Sequence, residues 1–496
     1  MSLLIALLLL ATVGGSASAT GAHQTIHTFT GTPAGAQPMS ALLEAADGLL
    51  YGTTMGGGND DGGSVYRFDP TTNIVTTLYS FDRDLANPMG HGPKGDLMQA
   101  RDGYFYGTTA YGGDWDNCPY YGHRGSIFRM DMAGNTTLVH RFSGGLDGEL
   151  AFAGLVEGPN GTLFGTTRYG GEFGRGTVFR LRRSGNFSIL HSFNGEEGQE
   201  PLAAMTRGSD GALYGTTNRH ISTGYGRGSV FRITVGGTFT NLHTFRFEDG
   251  TNPKLRLVQH PQSSLFYGTT EDATPTGFGA IFTIDSAGTF KRIHMFNMYG
   301  TTGINPVAGL IVGRDGNLYG TTTGGGLPVG DWNRGVIFKP TPTNQVIVLR
   351  TLHEGTDGYL PQTALTQTSN GLLFGTALGG ASNLGVIFKH DLNAVASLEQ
   401  VSIYPAWIIG GAGDDGIATG TIIFDGMAAS GGAKVILSSS RPTIVNVPAS
   451  IRVSAGRASA NFQVSSHAVQ TTTTVTITAR YGGGIRRFQL VVHPAT

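Results

Sequence analysis

Tyr51-Gly52-Thr53-Thr54 opens a pattern that recurs, with small variations, from Tyr106, Phe164, Tyr214, Tyr267, Tyr319 and Phe374, at spacings of 55, 58, 50, 53, 52 and 55 residues. Self-similarity at such a period marks an array of equal supersecondary units. Three further elements keep step with it. An apolar-aromatic-basic triplet recurs as Val65-Tyr66-Arg67, Ile127-Phe128-Arg129, Val178-Phe179-Arg180, Val230-Phe231-Arg232, Ile281-Phe282-Thr283, Ile337-Phe338-Lys339 and Ile387-Phe388-Lys389. A Leu-His-x-Phe element ends at Phe29, Phe81, Phe142, Phe193, Phe245 and Phe296, and more loosely at His353. The fourth, Pro-x-x-x-Leu, is clearest at Pro201, Pro253, Pro306 and Pro361.

This last element runs into Asp47-Gly48, Asp102-Gly103, Asn160-Gly161, Asp210-Gly211, Asp315-Gly316 or Asn370-Gly371. Such pairs suit two-residue hairpin turns, which need positive φ. Each repeat then holds four short strands, the content of one propeller blade: Pro-x-x-x-Leu as inner strand a, Tyr-Gly-Thr-Thr as b, the aromatic triplet as c and Leu-His-x-Phe as outer strand d. Glycine within strand b, such as Gly52 or Gly215, predicts close approach of a neighbouring blade. The phase of the ends separates a closed ring from a solenoid. The array begins on a d element, Thr25 to Phe29, and finishes on a c element, Gly385 to His390. The first can supply the outer strand that the last blade lacks and so cover an open sheet edge. The reading is an all-β chain, with a seven-bladed β-propeller over residues 20–395.

Composition agrees. The chain has 79 glycines among 496 residues, and charged residues make up 14% against an ordinary value of about 25%. A formal net charge of −1 sets up no broad field that would draw nucleic acid or an anionic membrane. The apolar run from Leu3 to Val13, followed by Ala17-Ser18-Ala19, has the form of a signal peptide over residues 1–19. It is too short to span a bilayer, which takes about 20 residues. We therefore expect a secreted protein, extracellular, periplasmic or cell-surface associated, with no membrane span in the mature chain. Cys118, the single cysteine, is expected to be a free thiol.

On its Asp-Gly-x-Leu-Tyr-Gly-Thr-Thr, Gly-Gly and Gly-x-Val-Phe-Arg signatures the chain resembles the GloVer repeat family of bacterial secreted proteins, over about three quarters of its length. The resemblance implies an exported or surface location, often through a C-terminal anchor, and carries no molecular activity with it. The chain ends at Pro494-Ala495-Thr496 without a hydrophobic tail, which argues against such an anchor here. From about Ser397 the repeat vanishes. Runs such as Gly420-Thr421-Ile422-Ile423-Phe424 and Thr474-Val475-Thr476-Ile477-Thr478-Ala479 suggest an immunoglobulin-like β-sandwich over residues 397–496. It resembles the bacterial immunoglobulin-like modules of surface proteins, whose usual role is that of a spacer or adhesive unit.

Residues present in every repeat are expected to hold the fold. This applies to the Thr pairs and to His27, His140, His191, His243 and His294, which ring symmetry keeps too far apart for one metal. Gly410 to Ile417 matches one calcium β-roll nonapeptide, but that roll needs stacked copies. No metal or cofactor is expected. The sequence has no Gly-x-Ser-x-Gly, no His-Glu-x-x-His, no phosphate loop and no dinucleotide fingerprint. Asp147, Glu149, Glu196, Glu197, Glu200, Glu248 and Asp249 lie on d–a loops and supply carboxylates of the type that acid–base catalysis uses.

Function on a repeat scaffold tends to sit where loops break the repetition. The b–c loops do so in the second, fourth and sixth repeats, giving the candidate ligand contacts Tyr111, Asp114, Trp115, Asp116, Tyr121, Arg124, Tyr225, Arg227, Asp331, Trp332 and Arg334. Aromatic planes flanked by Asp and Arg suit a sugar ring or a peptide. The expected function is noncatalytic recognition of a glycan or protein ligand through this face. The alternatives are a secreted enzyme acting on polysaccharide and a structural adhesion protein.

Overall fold

In the computed structural model, residues 22–495 are described, apart from 85–87, 113–123, 221–226, 273–276, 298–301, 327–333, 354–356, 395 and 412. The repeats fold into seven antiparallel sheets. The fourth sheet is typical: Thr206–Arg207, Leu213–Thr217, Ser229–Ile233 and Phe239–Thr244 pair in sequence order. The inner strand a is only two residues long in five of the sheets, and in the first two a further three-residue strand, Ala36–Pro38 or His91–Pro93, also pairs with strand b, so the Pro-x-x-x-Leu segment is mostly irregular chain.

Seven apolar clusters join the sheets, each bridging two consecutive ones. An open stack of seven sheets has six such interfaces. The seventh joins Phe29, Leu42, Tyr66 and Phe68 to Phe374 and Ile387, closing a ring. The expected closing strand is present: His23–Thr28 pairs antiparallel with Val386–His390. Glu44 also accepts hydrogen bonds from Ser369 across the same seam.

The turns differ from expectation in an instructive way. Gly48 has φ +78 while Asp47 keeps an ordinary negative φ, and Gly48 N–H donates to the Ala45 carbonyl. The turn is therefore of type I with a left-handed glycine after it, rather than a two-residue primed turn. Asp47 stays because its carboxylate accepts from Leu49 N–H and, at 2.8 Å, from the Tyr51 hydroxyl. The same Asp–Tyr bond recurs at Asp102–Tyr106, Asp210–Tyr214 and Asp315–Tyr319. Where Asn160 and Asn370 replace Asp, the partner is Phe164 or Phe374, which has no hydroxyl to satisfy. Only Asn160-Gly161 places both residues at positive φ, as first expected for all.

Strand b glycines are crowded from within their own sheet. A Cβ on Gly215 would lie 2.4 Å from the Phe231 ring, its cross-strand partner. The close approach is to this strand c aromatic and not to a neighbouring sheet. The first Thr of the strand b pair reaches the next sheet, as Thr108 does to the Ala153 carbonyl at 3.1 Å. The second closes on strand c, as Thr217 does to Ser229 at 2.8 Å. The strand d histidines also lock neighbouring sheets: His140, His191 and His243 stack at 3.9 Å on Phe187, Phe239 and Phe290.

Residues beyond 396 form two further sheets, one of four strands and one of five, around a core of their own that includes Ile422, Phe424, Val475 and Leu490. Ile417–Phe424 and Thr473–Tyr481 contain the two runs picked out in the sequence. Among the described residues no helix is long and apolar enough to cross a membrane.

The ring seam carries a pH dependence. His23 and His390 are opposed in register and both buried. Burial, followed by the Arg350 charge, holds both imidazoles below their ordinary value, His390 at about 3. Unfolding exposes them to protons that the folded state refuses. Their stabilisation is complete above pH 6.5 and is lost as pH falls from there toward the folded value. We expect about 1.4 kcal/mol per pH unit for each imidazole, measured by denaturant unfolding between pH 7.5 and 5. His390→Gln should remove one imidazole's share; an unchanged slope would contradict the assignment.

Candidate functional site

The inner segments of all seven sheets line one axial cavity of about 470 Å³. Two sequence columns set its chemistry. The position after the proline, or its equivalent, carries Met39, Lys94, Phe152, Leu202, Lys254, Val307 and Gln362, at the end of the axis near the d–a loops. Two residues deeper sit Ala41, Asp96, Gly154, Ala204, Arg256, Gly309 and Ala364. Small side chains in five of these seven keep the channel open, and Asp96 and Arg256 supply its only deep charges in that column.

The mouth is aromatic and cationic on one side. Lys94 Nζ lies 4.5 Å from the Phe152 ring centroid, and the Arg168 guanidinium lies 5.7 Å from the same ring and 4.7 Å from that of Tyr169. Tyr111 meets Phe152 edge-on at 6.2 Å and His91 at 5.5 Å. The buried Glu200 carboxylate accepts from Arg168 at 2.9 Å and faces Arg219 at 3.4 Å. Lys254 pairs with Glu271 at 2.8 Å. Burial pushes the Lys94 ammonium down, and the charges of Arg168 and Lys254 push it further. Burial raises Asp96, against the Ala41 N–H bond and the Arg256 charge.

Of the candidate contacts, Tyr111 alone among the described residues joins this mouth. Arg124, Arg227 and Arg334 each precede the glycine that opens strand c, and they serve the d–a loops. Arg227 lies 3.9 Å from the Phe247 ring centroid, Arg334 bonds the His353 ring, and the Arg124 carbonyl accepts from Leu150 N–H. They occupy equivalent positions, together with Arg175, so they belong to the repeat and not to its breaks. Asp114, Trp115, Asp116, Tyr121, Tyr225, Asp331 and Trp332 lie outside the described residues, as does Cys118. So do residues 1–19 and the side chains of Asp414 and Asp415 in the nonapeptide match.

Lys94, Phe152, Lys254 and Arg168 were missed. A signal was available for three of them: Lys94, Phe152 and Lys254 stand where the inner-strand column changes residue type from repeat to repeat, whereas Arg168 follows strand b.

The d–a loop carboxylates are largely committed to the framework. Glu197 bonds His191 at 2.7 Å and Asp249 bonds His243 at 3.1 Å. Asp147 faces His140 at 3.4 Å and accepts from Ser143 N–H. Glu200 is held by arginines, as above. His353, Asp357 and Glu399 bring one ligand atom each within 4.8 Å of the others, but Arg350 already sets its guanidinium against both carboxylates. A divalent cation there would face a fixed positive charge, so this cluster fits an ion pair and not a metal.

Sequence comparison supplies the family. A model of the Gloeobacter/Verrucomicrobia repeat matches residues 15–227 and 204–434. The chain belongs to the Gloeobacter/Verrucomicrobia repeat family. No curated protein shows significant sequence similarity to this repeat protein. Among solved structures it is similar to a structural genomics protein of unknown function from Bacteroides thetaiotaomicron, at 12% identity and TM-score 0.37, over 75% of each chain. It is also similar to the GH93 α-L-arabinofuranosidase of Fusarium graminearum solved with arabinobiose, at 11% identity and TM-score 0.32, over 59% of the repeat protein and 90% of that chain. A PL25 ulvan lyase matches at 10% identity and TM-score 0.28, over 79% and 92%.

Proposed function

We propose that this protein is an exported, noncatalytic recognition module: a seven-bladed β-propeller that binds a glycan at the channel mouth, followed by an immunoglobulin-like sandwich acting as spacer. One observation carries the reading. Phe152 presents an aromatic plane at an axial cavity, flanked by Tyr111 and Tyr169 and by polar groups on Lys94, Arg168 and Glu200. An aromatic plane ringed by hydrogen-bonding groups in a concave site suits a sugar, whose ring has an apolar face and hydroxyls at its edge. Closure of the sheets through seven interfaces supports the propeller, and the two-sheet core beyond residue 396 supports the sandwich. The candidates in the b–c loops, with Trp115 and Trp332 foremost, extend the proposed face.

A glycan-array screen of the mature protein, paired with an assay for released reducing sugar, tests this. Binding without turnover is the expected result, and product release would replace it with the enzymatic reading. Phe152→Ala should weaken glycan binding by about 1–3 kcal/mol. Binding unchanged by that substitution would remove the channel mouth as the site.

A further inference from the structure

Counting charge around the mouth shows an imbalance. Lys94, Arg168, Arg219 and Lys254 bring four cations, and Glu200, Glu271 and Asp272 bring three carboxylates. The pairing is uneven. Glu200 serves Arg168 and Arg219, Glu271 serves Lys254, and the Asp272 carboxylate accepts from the Asn252 amide at 2.9 Å. No carboxylate pairs with Lys94 among the described residues; its ammonium rests on the Phe152 ring. Deeper in the channel, Asp96 and Arg256 cancel. The excess positive charge therefore sits at the mouth, on the residue whose ammonium rests on the half-buried Phe152 ring.

A half-buried ammonium beside two other cations loses hydration and gains repulsion. A cation–π contact offsets only part of that cost. What relieves the rest is an anion, entering from the channel because the walls on the other sides are already paired.

We propose that the channel mouth is specific for an acidic glycan, with one carboxylate or sulfate group of the sugar bound by Lys94 while the sugar ring lies against Phe152. This rests on the glycan reading above and narrows its ligand class. Lys254, already held by Glu271, contributes to the field rather than to direct contact. The cavity volume of about 470 Å³ lies within the range of small-ligand sites, so a chain end or a short segment is the unit recognised.

The test uses the mature protein and three oligosaccharides of matched length, one uronate-bearing, one sulfated and one neutral, titrated calorimetrically at two salt concentrations. At least one acidic probe should bind tenfold or more tightly than the neutral one, with affinity falling as salt rises. Comparison of the two acidic probes identifies the group. Lys94→Met keeps an unbranched stem on Phe152; it should lower affinity for the acidic probe about tenfold, lower affinity for the neutral probe by clearly less, and unfold at the wild-type denaturant concentration. Equal binding of neutral and acidic probes, or acidic binding untouched by Lys94→Met, overturns the anionic specificity while leaving glycan recognition standing. No binding of any probe overturns both.

Discussion

Arg350→Met is expected to destabilise the protein by about 3–5 kcal/mol, the cost of leaving buried charges without their partner. Arg350 occupies the strand d column that holds His in five other sheets: it stands opposite Ile337 as His191 stands opposite Val178. It is 4% exposed. Its guanidinium meets Asp357 at 2.5 Å, on the d–a loop of its own sheet, and Glu399, on the first strand beyond the ring. His353 Nε2 lies 3.4 Å from the same Glu399 carboxylate, and Arg486 donates to the Glu399 carbonyl. The residue thus exchanges a lock between two sheets of the ring for one between the ring and the C-terminal sheets. Denaturant unfolding should show the loss, and the reverse experiment sharpens it. A triple substitution to apolar residues, Arg350→Met with Asp357→Leu and Glu399→Leu, should recover most of the stability, because no buried charge is then left alone. A single-variant cost below about 1 kcal/mol would show that the cluster is hydrated and that the junction is held elsewhere.

The second large effect is expected at the ring seam. Phe29 is fully buried, packs edge-on to Tyr66 at 5.2 Å, and donates its backbone N–H to the Gly385 carbonyl at 2.9 Å. It belongs to the closing strand by chain position and to the first–seventh sheet interface by contact. Phe29→Ala should cost about 3–5 kcal/mol in denaturant unfolding, the range for a buried Phe emptied to Ala. Removing residues 22–29 altogether also bares the hydrogen-bonding edge of Val386–His390 and should yield soluble aggregates in size-exclusion chromatography, since an unpaired strand edge recruits other chains. A monodisperse deletion variant with unchanged unfolding would sink the ring-closure account.

Much of this architecture was legible because it is local and repeated. Hydrophobic period, turn chemistry and the Thr pairs act over one hairpin, so seven copies state the same strand order seven times, and the unmatched c and d elements at the ends identify the closing pair. Even the exchange of Asp47 and Tyr51 for Asn160 and Phe164 is readable, once the hydroxyl and its carboxylate are seen as one unit. The sequence by itself determined the repeat, its strands and its closure. It did not bring Lys94, Phe152, Arg168 and Lys254 to one cavity. They come from the second, third and fifth sheets, and their distances depend on how far each sheet is turned about the axis, a quantity set by packing between sheets and by no local pattern. The same holds for Arg350 and Glu399, which meet only because the C-terminal sheets dock on one side of the ring. Tertiary structure alone decided the site and the junction, since both are made of residues that depart from the repeat.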